Sequence, residues 1–373
     1  MPFNDLLMVW YLENSRDLPW RETKDPYRIW LSEILLQQTR VEQGMPYYHR
    51  FIENYPTLQA LALAPEDDVL RLWQGLGYYS RGRNLLFAAR QMMAEYGRFP
   101  DQYSEIRALK GVGDYTAAAV ASMAFNLPHA VVDGNVYRFL ARYYGIDTPI
   151  DSTEGKKVFK ELADTLLDHK NPGLHNQAVM EMGALICKPK PLCERCPFSQ
   201  SCYALKNKQI AVLPVKSKKT KIRNRHFNYL LIEYKEQFYI QQRTAKDIWQ
   251  GLYEFPLIEY TKPISLNRLM QTDEWLSILD KEECIIFKKS KTIKHQLSHQ
   301  LLHTVFIHLK IDKPKSTYLK KKCKRVSFEE LNKYGMPQLI VHYLKNYPIQ
   351  SKKKEKKQGK NPVLYFINFA NTL

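Results

Sequence analysis

A chain of 373 residues exceeds one ordinary domain and is long enough for two. Its 45% hydrophobic content supports ordinary globular cores, and 56 lysines and arginines against 38 acids leave a formal charge of +18. That excess points to a polyanionic partner, nucleic acid before an anionic membrane surface, and no apolar run approaches the roughly 20 residues a membrane helix needs.

Residues 1–21 show no basic start followed by a long apolar core, so no secretory leader is expected; a reducing compartment is, either the cytosol or a nucleus. From about residue 4 to 205 the sequence predicts helices with short turns. YRIWLSEILLQQTRVEQGMPYYHRFIENY (27–55) and EDDVLRLWQGLGYYSRGRNLLFAARQMMAEYG (66–97) both place apolar residues at helical spacing. STEGKKVFKELADTLL opens on Ser152 and Thr153 as caps. A basic linker follows over 206–226, with eight basic residues and no acid between 206 and 225. FNYLLIEY (227–234) and QFYIQQR (237–243), joined through the polar KEQ, read as a hairpin, and LLHTVFIHLKI (301–311) as a further strand. The second domain is therefore expected to be mixed α+β, over 227–348. The tail over 349–373 begins basic and low-complexity, expected to be solvated and disordered, and closes on the apolar VLYFINFANTL, for which the sequence offers no account.

Three stretches carry chemistry. In ALKGVGDYTAAAVA, Gly111 and Gly113 stand between two helical patterns and permit a tight hairpin whose amides, at a helix N-terminus, can hold a phosphate; Lys110 adds charge beside them. In AVVDGNVYR an apolar run ends on Asp133, which read alone is the N-cap of the helix that follows. CKPKPLCERCPFSQSC spaces Cys187, Cys193, Cys196 and Cys202 as C-x5-C-x2-C-x5-C, a thiolate set suited to an iron–sulfur cluster or a tetrahedral zinc. Cys284 and Cys323 stand apart and read as buried thiols.

The order LKGVGDYTA … VVDGNVYR resembles the helix-hairpin-helix superfamily of base-excision DNA glycosylases. DLPWR (17–21), WLSEILLQQT (30–39) and WQGLGYYSRGRNL (73–85) narrow the resemblance to adenine DNA glycosylases of the MutY type, which remove adenine mispaired with 8-oxoguanine. It runs from about residue 3 to 345. The implied fold is an all-α glycosylase domain over 1–205, including the cysteine loop 187–202, followed by a smaller α+β Nudix-like domain.

The resemblance also implies roles. Glu33 is the proton donor and water activator, and its neighbours Trp30, Leu31, Ile34 and Leu35 suit a raised carboxyl pKa. Asp133 stabilises the oxocarbenium-like sugar, with Tyr115 and Asn135 beside it. Tyr115 stands where strand-nicking relatives carry lysine, and a phenol forms no Schiff base, so simple hydrolysis is expected. Trp20, Arg21 and Gln177 map around the extruded adenine; Gln38 and Tyr78 map to the wedge that enters the duplex, with Leu76 close by. Arg81 and Arg83 are candidate phosphate contacts. Ser298 and His299, in KHQLSHQ, map to the segment that meets 8-oxoguanine, with Leu297 where many members have Phe. The four cysteines would hold a 4Fe–4S cluster, although the first gap of five residues is one shorter than usual, and Lys110 replaces a common proline. No R-E-x-x-E-E array follows GLYEFP, so nucleotide hydrolysis is not expected. The four-residue spacing of His295, His299 and His303 falls in strand-like sequence, where it does not gather a metal.

The resulting expectation is a monomeric enzyme acting on duplex DNA with A:8-oxoguanine or A:G mispairs, without a membrane partner. Two rivals are a bifunctional glycosylase/lyase for oxidised bases and a non-catalytic lesion binder.

Overall fold

Helical periodicity over 4–205 resolves into twelve helices among the described residues, which are 1–217, 222–280, 282–346 and 365–366 of this computed structural model. They are α1 (Phe3–Asn14), α2 (Pro26–Leu36), α3 (Val41–Asn54), α4 (Leu58–Ala62), α5 (Glu66–Leu72), α6 (Ser80–Glu95), α7 (Tyr103–Ala108), α8 (Asp114–Phe125), α9 (Gly134–Tyr144), α10 (Thr153–Leu166), α11 (Pro172–Leu185) and α12 (Tyr203–Lys206). Each long apolar pattern contains a break. Gln38, at φ 59°, ends α2 before α3 begins, and Gly75, Gly77 and Tyr78, at φ 103°, 73° and 47°, separate α5 from α6. A left-handed residue cannot continue a right-handed helix, so the chain turns there although the hydrophobic spacing continues.

α8 (DYTAAAVASMAF) is buried from Thr116 to Met123. Its alanines let α2 and α11 pack close. α11 approaches to backbone contact: a Cβ on Gly173 would lie 2.6 Å from Ser122 O, and one on Gly183 2.6 Å from Asn135 O. α7 and α8 form the expected hairpin, in which Gly111 sits at φ 80°.

By its internal contacts the chain divides into Met1–Ala64 with Arg83–Lys219, and Pro65–Gly82 with Thr220–Leu373. The segment 65–82, which the sequence reading gives to the helical domain, thus groups with the second unit, and the division falls inside α6.

The second unit is built on a mixed sheet of β1 (Arg223–Tyr234), β2 (Gln237–Gln242), β3 (Tyr253–Glu254), β4 (Leu257–Tyr260), β5 (Cys284–Lys289), β6 (Ile293–Gln296), β7 (Gln300–Ile311), β8 (Lys324–Ser327) and β9 (Tyr365–Phe366). The order is β3-β2-β1-β7-β5-β9, with β4 beside β1, β6 beside β7 and β8 beside β2. β1 and β7 run parallel, in register from Arg223↔Gln300 to Glu233↔Lys310. The core of β1, Phe227–Ile232, is buried, as a central parallel strand requires. β1 starts at Arg223, inside the stretch read as linker, and reverses into β2 through Lys235 and Glu236, both at positive φ as a two-residue hairpin turn demands. Among the described residues four α-helices accompany the sheet: α13 (Leu266–Leu269), α14 (Asp273–Leu279), α15 (Thr317–Lys322) and α16 (Gln338–Asn346). Trp275, Ile278 and Leu319 join Leu230, Ile232 and Leu309 in one core cluster, while Tyr343 of α16 stacks 3.7 Å from Phe306. Of the tail, the Tyr365–Phe366 backbone pairs with β5; the rest of 349–373 lies outside the described residues. Among the described residues no helix is long and apolar enough to cross a membrane.

One buried guanidinium organises the end of this sheet that carries the β6–β7 turn. Arg225, with its side chain 5% exposed, donates to Glu259 at 2.6 Å and to Asp247 Oδ1 and Gln300 Oε1 at 2.9 Å. It thereby ties β1, β4, the 243–251 loop and the start of β7. Arg225→Met would strand Glu259 and leave Asp247 to Arg243, whose Nη2 lies 3.0 Å from it. The substitution is expected to destabilise the full-length chain by roughly 3 kcal/mol in urea unfolding, and Arg225→Lys, which lacks the planar fork, should recover only part of that.

Candidate active site

Glu33 occupies the third turn of α2, where Trp30, Leu31, Ile34 and Leu35 are all buried and Glu33 itself is 8% exposed. The Tyr115 hydroxyl, in the first turn of α8, donates to its Oε2 at 2.6 Å. Burial lifts the Glu33 carboxyl to about 7, against the Tyr115 bond, which favours the carboxylate, and with a further push from Asp133. The tyrosine is driven well above its ordinary range by the same burial and by Glu33. Gln37 Nε2 donates to Thr116 Oγ1 at 3.2 Å and holds the end of α2 against α8.

Asp133 caps α9, as the sequence indicates. Oδ1 accepts from the amides of Asn135 at 2.9 Å and Val136 at 2.8 Å, and Oδ2 from Asn135 Nδ2 at 2.7 Å. Burial raises this carboxyl too, but these donors oppose the shift. Asn135 is fixed in turn: Arg138 Nη2 donates to its Oδ1 and to Gly183 O, each at 2.8 Å, while Arg138 Nε donates to Cys187 O at 2.6 Å.

Glu33, Tyr115, Asp133 and Asn135 border one open cleft of about 1280 Å3, together with Trp20, Arg21, Gln38 and Gln177. Trp20 packs edge-on against Tyr48 at 5.0 Å, and Gln177 Oε1 accepts from the Tyr11 hydroxyl at 3.0 Å. Glu181 and Arg16, which also line the cleft, were not singled out from the sequence. Glu181, 1% exposed, is gripped by Arg16 at 2.7 Å and Arg21 at 2.8 Å. Burial alone would raise this carboxyl, but the hydrogen bonds from Arg16 and Arg21 hold it at about 2. Its place four residues after Gln177, on the same face of a helix, was the available signal.

The remaining site candidates lie elsewhere. Gly111, Gly113 and Lys110 form the exposed tip between α7 and α8; Gly113 caps α8, and a Cβ there would meet nothing within 4 Å. Arg81 departs from the expected exposed phosphate contact. It is 9% exposed, turns its Nη2 toward the carbonyls of Leu76 and Gly77 at 3.4 Å, and lies over the Trp73 ring, so it braces the 73–79 turn. Arg83 is half-buried on α6. Leu76 and Tyr79 are buried, whereas Tyr78 is 47% exposed. In the same unit Ser298 and His299 stand exposed in the β6–β7 turn, and the Ser298 hydroxyl hydrogen bonds with that of Tyr78. His295 and His303 fall on β6 and β7, in strand as expected.

Cys187, Cys193, Cys196 and Cys202 line one pocket with Arg142, Phe139, Tyr143 and Phe198. Arg142 reaches Cys187 Sγ at 3.6 Å and braces the short first gap by donating to Lys188 O at 2.6 Å and Pro189 O at 3.1 Å. Among the described residues no three Cys, His, Asp or Glu side chains converge as ligands of one ion do. Four thiols spread around an apolar chamber beside a guanidinium fit an iron–sulfur cluster.

Glu33 is expected to titrate near pH 7 by carbon NMR of labelled glutamate. Tyr115→Phe removes the bond that favours the carboxylate and should move that titration higher. The folded chain keeps this proton to about pH 7, whereas an ordinary glutamate releases it near 4.5. The group's contribution to stability is therefore full below 4.5 and fades as the pH rises to 7.

The family of HhH-GPD superfamily base excision DNA repair proteins matches residues 31–165, and the NUDIX domain family matches residues 228–346. The chain is 37% identical over 309 residues to the adenine DNA glycosylase of Buchnera aphidicola subsp. Schizaphis graminum, covering 81% of this chain and 86% of that one. It is 33% identical over 361 residues to the adenine DNA glycosylase of Buchnera aphidicola subsp. Acyrthosiphon pisum, covering 92% and 97%. The solved structure of a thermostable thymine-DNA glycosylase superposes with a TM-score of 0.51 at 33% identity, over 55% of this chain and 95% of that one. The chain belongs to the adenine DNA glycosylase family, base excision repair enzymes that hydrolyse N-glycosidic bonds.

Proposed function

We propose that this chain is a monofunctional glycosylase that removes adenine paired with 8-oxoguanine or guanine in duplex DNA. The observation that carries the reading is a pair of carboxyls in one cleft with unlike surroundings. Glu33 has one hydrogen-bond donor and a pKa near 7; Asp133 has three donors that favour its charged form. Such a pair divides acid and anion roles between its members. Glu33 gives its proton to the departing adenine as the bond from base nitrogen to sugar carbon breaks. Asp133 faces the cationic sugar, and water, relieved of a proton by Glu33, adds there to leave an abasic site. With a phenol at 115 in place of an amine, no Schiff base forms and the strand stays whole.

Trp20, Arg21 and Gln177 would bound the extruded base, an amide being suited to an adenine edge. Gln38 and Tyr78 would fill the gap it leaves, both held at positive φ in turns. The exposed Ser298 and His299 would meet the 8-oxoguanine, and the hairpin tip at Lys110, Gly111 and Gly113 a phosphate. We infer a 4Fe–4S cluster on Cys187, Cys193, Cys196 and Cys202. It would supply structural order to the basic loop of Lys188, Lys190 and Arg195 and no step of hydrolysis. The compartment would be that of the DNA, cytoplasm or nucleus.

On a duplex with adenine opposite 8-oxoguanine, breaks should appear only after hot alkali, and the A:T duplex should be spared. Glu33→Gln should slow single-turnover excision by about 10²- to 10⁴-fold, and the wild-type rate should fall above about pH 7 as Glu33 loses its proton. Asp133→Asn should abolish cleavage while duplex binding survives. Direct nicking without alkali, or tight lesion binding with no excision by cluster-loaded protein, would overturn the reading.

A further inference from the structure

Consecutive residues of α11 serve opposite sides of the cleft wall. Gln177 faces the cleft, and Glu181, one turn on, anchors Arg16 and Arg21. Asn176, 2% exposed, points the other way. Its Nδ2 donates to Ser122 Oγ on α8 at 2.9 Å and to His129 O at 2.8 Å, and its Oδ1 accepts from Val131 N at 3.1 Å. His129 and Val131 belong to the stretch 127–132, which has neither helix nor strand and ends at Asp133. One amide thus grips this irregular stretch four and two residues before the carboxylate, and ties it to the helix that shapes the base side. A small void of about 10 Å3 lies against the same stretch, bordered by Ala130, Val131, His175 and Asn176.

We propose that Asn176 is a positioning residue that sets the Asp133 carboxylate at its working distance from the base pocket. It rests on the reading of Asp133 as the group that opposes the sugar cation. A buried amide serving only the fold would, when removed, lower stability and all binding together. A positioning amide would chiefly cost the carboxylate's interaction with positive charge at the sugar.

The test compares affinities for two duplexes opposite 8-oxoguanine, one carrying a neutral tetrahydrofuran abasic analogue and one a protonated pyrrolidine. Wild type should prefer the cation and Asp133→Asn should not. If wild type shows no such preference, the Asp133 reading fails and takes the proposal with it. Asn176→Ala should keep the neutral affinity but lose roughly tenfold in cation preference, and single-turnover excision should fall on the order of 10²-fold, as displacements near 1 Å produce. Ser122→Ala removes the α8 anchor of the same amide, together with the Ser122 hydroxyl's bond to Ala119 O, and should move the preference in the same direction, which keeps the test open if Asn176→Ala folds poorly. An unchanged preference in either folded variant, or a parallel loss of both affinities with melting temperature, would overturn the proposal.

Discussion

An ionised carboxylate withdrawn from water must be solvated by something else or take up a proton, and the helical unit is arranged around two such groups. Glu33 sits within an apolar turn with a single phenolic donor, so it keeps its proton to near neutrality. Asp133 sits at a helix N-terminus with two amides and a side-chain amide directed at it, and the dipole there favours negative charge. The rest follows from holding these two carboxyls in one cleft: an alanine-rich α8 that lets neighbours approach, and glycines on α11 where backbones meet. The grip of Glu181 on Arg16 and Arg21 fixes another part of the cleft wall.

Much of this was legible in the sequence. Asp133 ends an apolar run before NVYRFLARYYG, a cap signal with few alternatives, and Ser152 opens α10 as read, its side chain accepting from Gly155 N. The breaks inside the two long helical patterns were harder, because Gln38 and Tyr78 turn the chain at positive φ without being glycine. Arg81 resembles a surface arginine by spacing; only the turn it braces makes it internal. Asn176 gives no sequence signal, since a polar residue on a helix reads as solvated until the segment that needs its amide is known. The Arg225 network is similarly hidden: Arg225 and Gln300 lie 75 positions apart, joined only by parallel pairing of β1 and β7.

In the second unit, ion pairs frame the segment around β3. The acids nearest WQGLYEFP are committed to arginines: Asp247 and Glu259 to Arg225, and Glu254 to Arg243 at 2.9 Å, with the Tyr229 hydroxyl donating to the same carboxylate. Carboxylates in such pairs brace strands and loops, and the β6–β7 turn they support offers uncharged and weakly basic side chains, Ser298 and His299, at its surface. Under the proposed function, that surface would meet an edge of a base.

Gly113 and Gly134 stand where α8 and α9 begin, and neither needs to be glycine for the fold. Gly113 has φ −98°, well outside the left-handed region, and a Cβ on either residue would meet nothing within 4 Å. What glycine supplies at these positions is clearance: the amides of two helix starts can be approached to contact without a methyl group in the way. Their value is invisible to the folded chain alone, and a mutational scan scored on stability would pass over both.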